Sequence, residues 1–519
     1  MIDELREHLS GQSFINIGVS TDESTDWVFT AQLLRELAAL PNVTLKPIQR
    51  DGRPPATKLS IWASLLKKVD LYRRRAQIHQ AKQTCLSLLN IDDGAACPDL
   101  DLVLNATSSH RTTTPDAQTW SLWFRTIEGD AEGSQLPLVF LSSSKAFEIV
   151  LSCYDDVGEE LQFASTCLRM PPSLSYLRLA HVAGKTAAQM LCWEIFGRQQ
   201  RPAATSDARP RSFPAGENRS VSGVKALGRV CTFGLNQVAG RLQRTFKSPV
   251  TRSWQVGIRQ NPPNEPWSDD WVGYTWVDAT PGNYLADPFL FKFQDTTWLF
   301  AEEYVGAQGK GVLGCGQLDA QGQLASWQTI LDLPYHLSFP HVFHHDGDIY
   351  MIPESAEGGC VDLYRCMEFP SRWQKIKTLW DEAGLDTVPF KHSDGLWYFF
   401  TTKKIDKAVP GELLLFYAES LDGQWHLHRS SPLSLDARYA RNAGRILRMK
   451  DSEGHDLLLR VSQDETGNYG SRLHFRQITQ LSQQTYIETH LATRDPLVGH
   501  DGSHHLERLE HWEATDLSS

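Results

Sequence analysis

Five times in its second half the chain repeats one arrangement: an apolar strand, a polar turn that often contains Asp-Gly, and a second strand rich in aromatics. "FLFKFQDTTWLFAEEY" starts at Phe289, "HVFHHDGDIYMIPES" at His341 and "VPFKHSDGLWYFFTTK" at Val388. "GRILRMKDSEGHDLLLRVSQD" follows at Gly444 and "SHHLERLEHWEATD" at Ser503. The starts recur about every 50 residues. A lone hairpin cannot bury both of its faces, so such units must pack against one another. Five of them predict a five-bladed β-propeller over residues 251–519. Further strands such as "VDLYRCM" and "ELLLFYAES" lie between the repeats.

The first 198 residues have a different texture. "SFINIGVS", "VTLKPIQR" and "DLDLVLNAT" read as strands that alternate with the amphipathic "DWVFTAQLLRELAAL" and with a helix capped by Thr57. "AQTWSLWFRTIE", "LPLVFLSS", "FEIVLSCYD" and "LQFASTCLRM" add strands before the helix "LSYLRLAHVAGKTAAQMLCWEIFG". Strand–helix alternation implies an α/β domain with a parallel sheet and an antiparallel extension. Residues 199–250 form a Pro- and Arg-rich linker followed by a basic amphipathic segment, 224–246. That segment suits either contact with an anionic membrane surface or packing between domains.

Composition narrows the partners. The 519 residues carry a formal charge of −11, which argues against nucleic acid, whose phosphates need a basic face. Nine scattered cysteines without CxxC spacing suit a reduced compartment. The start resembles no signal peptide and no apolar run approaches spanning length, so the expectation is a cytoplasmic protein. No set of residues has convincing metal-ligand spacing.

In a propeller, residues just before each innermost strand crowd one mouth of the central channel. Those positions hold Asp287, then His336, Ser338 and His341, then Asp386, then Arg441 and Asn442, and finally His500, Asp501 and His504. Second strands end in Glu302 and Glu303, in Glu354, and in Gln463 and Asp464. Several carboxylates among His, Arg and Gln suit sugar chemistry, in which one acid protonates a leaving oxygen and another acts as base or nucleophile. The candidates are Asp287, Asp386 and Glu354 for catalysis. Glu303, His336, Ser338, Arg441, Gln463, Asp464 and His504 are the candidates for holding substrate. His344 and His345 are expected at a solvated hairpin tip.

"YLADPFLF", "WLFAEEY", "HLSFPHVF", "IYMIPES", "RNAGRI" and "SQDETGNYG" together resemble the propeller domain found beside the glycosyltransferase domain in plant glucosamine inositolphosphorylceramide transferases, over roughly residues 252–516. More distantly the pattern is similar to furanosidase-type glycoside hydrolases. That likeness implies an aspartate base at Asp287 and a pKa-tuning aspartate at Asp386. "RNAGRI" offers no glutamate where those hydrolases carry their acid, which leaves Glu354 as the substitute. Some of those hydrolases hold calcium near the axis.

The first 198 residues resemble the N-terminal domain of formyltransferases. Their Asn-x-His pattern is replaced here by Ser121 and Trp123, so this domain is expected to be degenerate and kept for binding or docking. His110 is at most a displaced catalytic group.

The expected function is transfer of a glycosyl unit from a sugar or nucleotide sugar in surface glycan or glycolipid biosynthesis, with partner glycan-assembly enzymes. A non-catalytic glycan-binding module, a furanosidase-type hydrolase and a sugar N-formyltransferase remain as alternatives. No cofactor is implied beyond a nucleotide-sugar donor.

Overall fold

The computed structural model describes residues 15–20, 27–40, 43–48, 102–105, 118–126, 132–133, 136, 145–154, 160–170, 176–196, 253–403, 411–450 and 453–518. The chain forms two compact units, Met1–Lys247 and Ser248–Ser519. The helix assigned to Thr57, the loop with His110 and the whole of 199–250 lie outside the described residues.

The first unit is a mixed sheet. Its strands are β1 (Ile15–Ser20), β2 (Val43–Ile48), β3 (Leu102–Asn105), β4 (Gln118–Thr126), β5 (Glu132–Gly133), β6 (Ala146–Tyr154) and β7 (Glu160–Arg169). They run in the order β2-β1-β3-β4-β6-β7, with β5 on β4. Pairing is parallel from β2 to β4 and antiparallel from β4 onward. The helices Trp27–Ala38 and Tyr176–Phe196 bury apolar stripes, among them Leu33, Leu37, Leu179 and Val182. Gly184 lets the two helices meet, since a Cβ there would stand 2.5 Å from the Phe29 carbonyl oxygen. Ser121 is buried within β4.

The second unit consists of five antiparallel sheets. Blade one is Asn283–Phe293, Thr296–Val305, Lys310–Leu318 and Leu324–Leu331, counted from the axis outward. Blade two is Ser338–His345, Asp348–Glu354, Val361–Glu368 and Arg372–Trp380. Blade three is Gly384–Lys391, Trp397–Lys403, Glu412–Ala418 and His426–Leu427. In blade four the innermost strand is broken into Arg441–Asn442 and Leu447–Lys450, and Asp456–Gln463, Leu473–Leu481 and Tyr486–Arg494 follow. Blade five takes Leu506–Leu509 and Trp512–Ser518 from the end of the unit, and Trp254–Gln260 and Thr275–Val277 from its beginning. Period counting finds the five hairpins but not this borrowed pair, which closes the ring by hydrogen bonds between sequence-distant strands.

The innermost strands lie side by side. Phe289 of blade one packs edge-on against Phe339 of blade two at 4.9 Å. Asn442 of blade four donates through Nδ2 to the Asp386 carbonyl of blade three, and Leu506 of blade five donates its N–H to the Ala443 carbonyl. Each of the first three innermost strands bulges at its head, between Ala286 and Phe289, between Ser338 and His341, and between Leu385 and Val388. One residue in each bulge is left-handed: Asp287 at φ 51°, Phe339 at 49° and Asp386 at 45°. A bulge re-aims the groups it contains, and here three bulges re-aim them at one point.

Candidate active site on the propeller axis

The bulges turn backbone N–H groups toward carboxylates of neighbouring blades. Asp287 gives its N–H to Asp516 Oδ2 of blade five, and Phe339 gives its N–H to Asp287 Oδ2, both at 3.2 Å. Asp386 gives its N–H to Glu354 Oε2 of blade two at 3.2 Å. The left-handed backbone costs roughly 1 kcal/mol or more per residue, which these charge-assisted bonds offset. Turn chemistry alone does not explain Asp287 and Asp386, because both side chains are buried and face other ionisable groups.

Arg441 organises one side of the site. Its Nε donates to Asp386 Oδ2 at 2.6 Å, Nη1 to Glu465 Oε1 at 3.3 Å and Nη2 to Glu354 Oε2 at 3.4 Å. Its guanidinium also lies 4.9 Å from the centre of the Tyr469 ring. Gln463 donates from Nε2 to Asp386 Oδ2 at 3.0 Å, and its Oε1 has no hydrogen-bond partner among the described residues. Burial, opposed by Arg441 and reinforced by the charges of Glu354 and Asp287, moves the Asp386 carboxyl up to about 8.

The opposite side is an Asp–His–Asp array. His504 stands between Asp516, 2.8 Å from Nδ1, and Asp287, 3.4 Å from Nε2, and packs tilted against Trp254 with ring centres 3.9 Å apart. His505 Nδ1 lies 3.5 Å from Asp287 Oδ1. Burial pushes Asp287 up, but His504, His505 and Arg441 together outweigh it and bring the carboxyl to about 2. His504 is shifted up: burial opposes its charge, and Asp516 and Asp287 more than compensate. Asp287, His504 and Asp516 each present a ligand atom within 4.8 Å of the others, so among the described residues they form the set that could hold a metal ion. An imidazolium between two carboxylates uses the same geometry.

Glu302 completes the constellation. It pairs across the hairpin with Ala286 and is buried. Burial, then the charges of Asp287, Glu354, Asp516 and Asp386, hold its carboxyl well above the usual range. His336 Nε2 stands 3.5 Å from its Oε1.

The candidates read from sequence therefore separate. Asp287, Asp386, Glu354, Arg441, Gln463 and His504 converge, and Ser338 sits opposite Glu354 in the strand pairing. Glu303 does not join them: strand alternation turns it the other way, where it accepts bonds from Asn283 Nδ2 at 2.7 Å and Trp327 Nε1 at 2.8 Å. Asp464 is also occupied elsewhere, holding the Thr466 N–H and hydroxyl and facing His474 Nε2 at 3.1 Å. Glu354, the substitute acid, is engaged by Arg441 and the Asp386 N–H. His344 is exposed and contacts the Lys292 carbonyl, while His345 packs on Trp397 at 4.9 Å. Glu465, Tyr469, His505 and Asp516 were not singled out from sequence. Counting by two from Phe300 would have preferred Glu302 to Glu303, whereas Tyr469 reaches the site through a loop that no period announces.

Five sheets around one axis, with buried acids gathered about Arg441, His504 and His505, define a five-bladed β-propeller with an ionisable axial cluster. Residues 274–519 match the family model described as glucosamine inositolphosphorylceramide transferase 1, N-terminal. Glucosamine inositolphosphorylceramide transferase 1 of Arabidopsis thaliana is 35% identical over 215 residues, covering 40% of this chain and 27% of that protein. Its counterpart in Oryza sativa subsp. japonica is 33% identical over 250 residues, covering 46% and 32%. The chain thus spans less than a third of the length of these relatives. Among solved structures, the RS223 β-xylosidase aligns at TM-score 0.34 and 11% identity over 46% of this chain and 92% of that one. A mutant of B. subtilis levansucrase aligns at TM-score 0.31 and 14% identity over 41% of this chain and 71% of that one.

Proposed function

We propose that the axial site transfers a glycosyl unit from a sugar or nucleotide sugar during assembly of a glycolipid or surface glycan. The observation that carries this reading is the opposed ionisation of two carboxyls in one hairpin: Asp287 is held as the anion and Glu302 as the acid. Carboxyls whose surroundings drive their pKa values apart are what acid-assisted departure from an anomeric carbon needs. As the anomeric C–O bond breaks, Glu302 gives its proton to the departing oxygen and Asp287 stabilises the positive charge that develops on the sugar ring; the acceptor hydroxyl then bonds to the anomeric carbon and returns its proton to the Glu302 carboxylate. A carboxylate at about 2 is a weak base but a persistent anion, which suits Asp287 as anchor or nucleophile. Asp386 tunes the charge through Arg441, and the spare acceptor of Gln463 suits a sugar hydroxyl. The similarity of residues 274–519 to the transferase family supports glycosyl transfer.

A second reading is a carbohydrate-recognition module that presents a glycan to a partner enzyme. What favours it is that the matching model is an N-terminal one and the chain covers under a third of its relatives. In either case we assign the first unit, with its formyltransferase-like strand pattern, to docking.

The test is to incubate the full chain with nucleotide sugars and inositolphosphorylceramide, and to follow products by mass spectrometry alongside Asp287→Asn and Glu302→Gln. A product lost in both variants supports transfer. Thermal stabilisation by a sugar without any product favours recognition, and a ligand at a hundred times its Kd adds about 2.7 kcal/mol.

A further inference from the structure

Glu302 has a neighbour whose geometry is set by a glycine. His336, in the loop before blade two, accepts the Gly311 N–H at Nδ1 over 2.9 Å. Its own N–H is held by Glu357 Oε2 at 3.0 Å. An Nδ1 that accepts carries no proton, so the proton of the neutral ring sits on Nε2, the atom that faces Glu302 Oε1 at 3.5 Å. Gly311 is what permits the approach: a Cβ there would stand 2.6 Å from Glu302 Oε1, 2.4 Å from the Leu337 carbonyl oxygen and 3.0 Å from His336 Cε1. Gly311 lies in Lys310–Leu318, the third strand of blade one.

We infer that His336 is a positioning residue for Glu302: it keeps an Nε2–H donor trained on Oε1, loosely while Glu302 is a neutral acid and tightly once Glu302 has become a carboxylate. The inference rests on the reading of Glu302 as the acid. A donor that strengthens only as the proton leaves favours the transition state over the ground state, and such contacts are commonly long before substrate binds. With Oε1 facing the donor, the acidic proton is left on Oε2. After burial, the groups that hold Glu302 up are carboxyls: Asp287 from the innermost strand of blade one, Glu354 from blade two, Asp516 from blade five and Asp386 from blade three. His336 faces Glu302 with a donor, and its side chain is 31% exposed against 8% for Glu302.

The experiment uses the full chain. Nitrogen-15 NMR of the histidines, with His336 assigned by its loss in His336→Gln, reads the tautomer. Infrared spectra across pH follow the carboxylic C=O band that disappears in Glu302→Gln. We expect an Nε2–H tautomer, and a band whose titration midpoint rises by about one pH unit in His336→Phe but stays near wild type in His336→Gln, which keeps a donor. Gly311→Ala, which forces the pair apart, should move the midpoint in the same direction as His336→Phe. An Nδ1–H tautomer, or a midpoint indifferent to His336→Phe and Gly311→Ala, overturns the inference. A midpoint in the ordinary carboxyl range that still rises in His336→Phe leaves the positioning intact and removes the acid assignment instead.

Discussion

Arg441 Nε and Asp386 Oδ2 lie 2.6 Å apart with both side chains buried, and the same guanidinium reaches Glu354 and Glu465. Three blades' worth of acidic groups therefore depend on one cation. Arg441→Met should cost about 3–5 kcal/mol, because it leaves buried carboxylates without their counter-charge. Arg441→Lys keeps the charge but loses the fork and should cost less. Denaturant unfolding of the three proteins at neutral pH checks the order.

Asp287 links structure to acidity. Its folded value, about 2, lies below the 3.8 of the free side chain. The group therefore adds stability that is fully present above about pH 4 and is lost as pH falls toward 2. The difference is worth about 2 kcal/mol. Asp287→Asn should show a shallower loss of stability over that window, read as the unfolding midpoint against pH.

Glu302 carries the opposite shift, so the protonated form that the proposed reaction needs persists above the ordinary carboxyl range and is lost as pH rises through the raised value. Activity should fall on the alkaline side with that titration. Glu302→Gln should lower kcat by about 10²–10⁴-fold and abolish that limb, with a much smaller change in KM. A pH–rate profile of the two proteins decides it.

Glu303, one residue on, should behave differently. Glu303→Ala removes the acceptor for Asn283 Nδ2 and Trp327 Nε1 and should cost about 1–3 kcal/mol of stability. Turnover should stay within a small factor of wild type. The contrast between adjacent glutamates, measured by thermal unfolding and product formation together, tests the orientation of the strand.

Gly444 lies in the break of blade four's innermost strand, against Leu506 of blade five. It sits at φ 123°, and a Cβ would stand 2.0 Å from the Leu506 carbonyl oxygen. Gly444→Ala should destabilise the second unit by more than the roughly 1 kcal/mol that a glycine substitution costs in open backbone, because backbone rather than a side chain blocks the added atom. Calorimetry of the full chain reads the unit's transition.

What the sequence determined by itself is whatever is local and periodic. Alternating strands, Asp-Gly turns and their recurrence near 50 residues specify five hairpins, and the Asp-Pro and Leu-Asp-Thr stretches place Asp287 and Asp386 at equivalent strand heads. Tertiary structure decided everything that depends on atoms from different blades. The pairing of Ser518 with Trp254 closes the ring between residues at opposite ends of the unit, and no period reports it. The bulges choose which carboxylate meets which N–H, and a shift of one residue along the strand separates the axial Glu302 from the outward Glu303. The ionisation states follow the same logic: Asp287 and Glu302 are similar acids in the chain, both pushed up by burial, and their opposite shifts arise because His504 and His505 outweigh burial at Asp287 while neighbouring carboxyls add to it at Glu302, a field that exists only once five blades surround the axis.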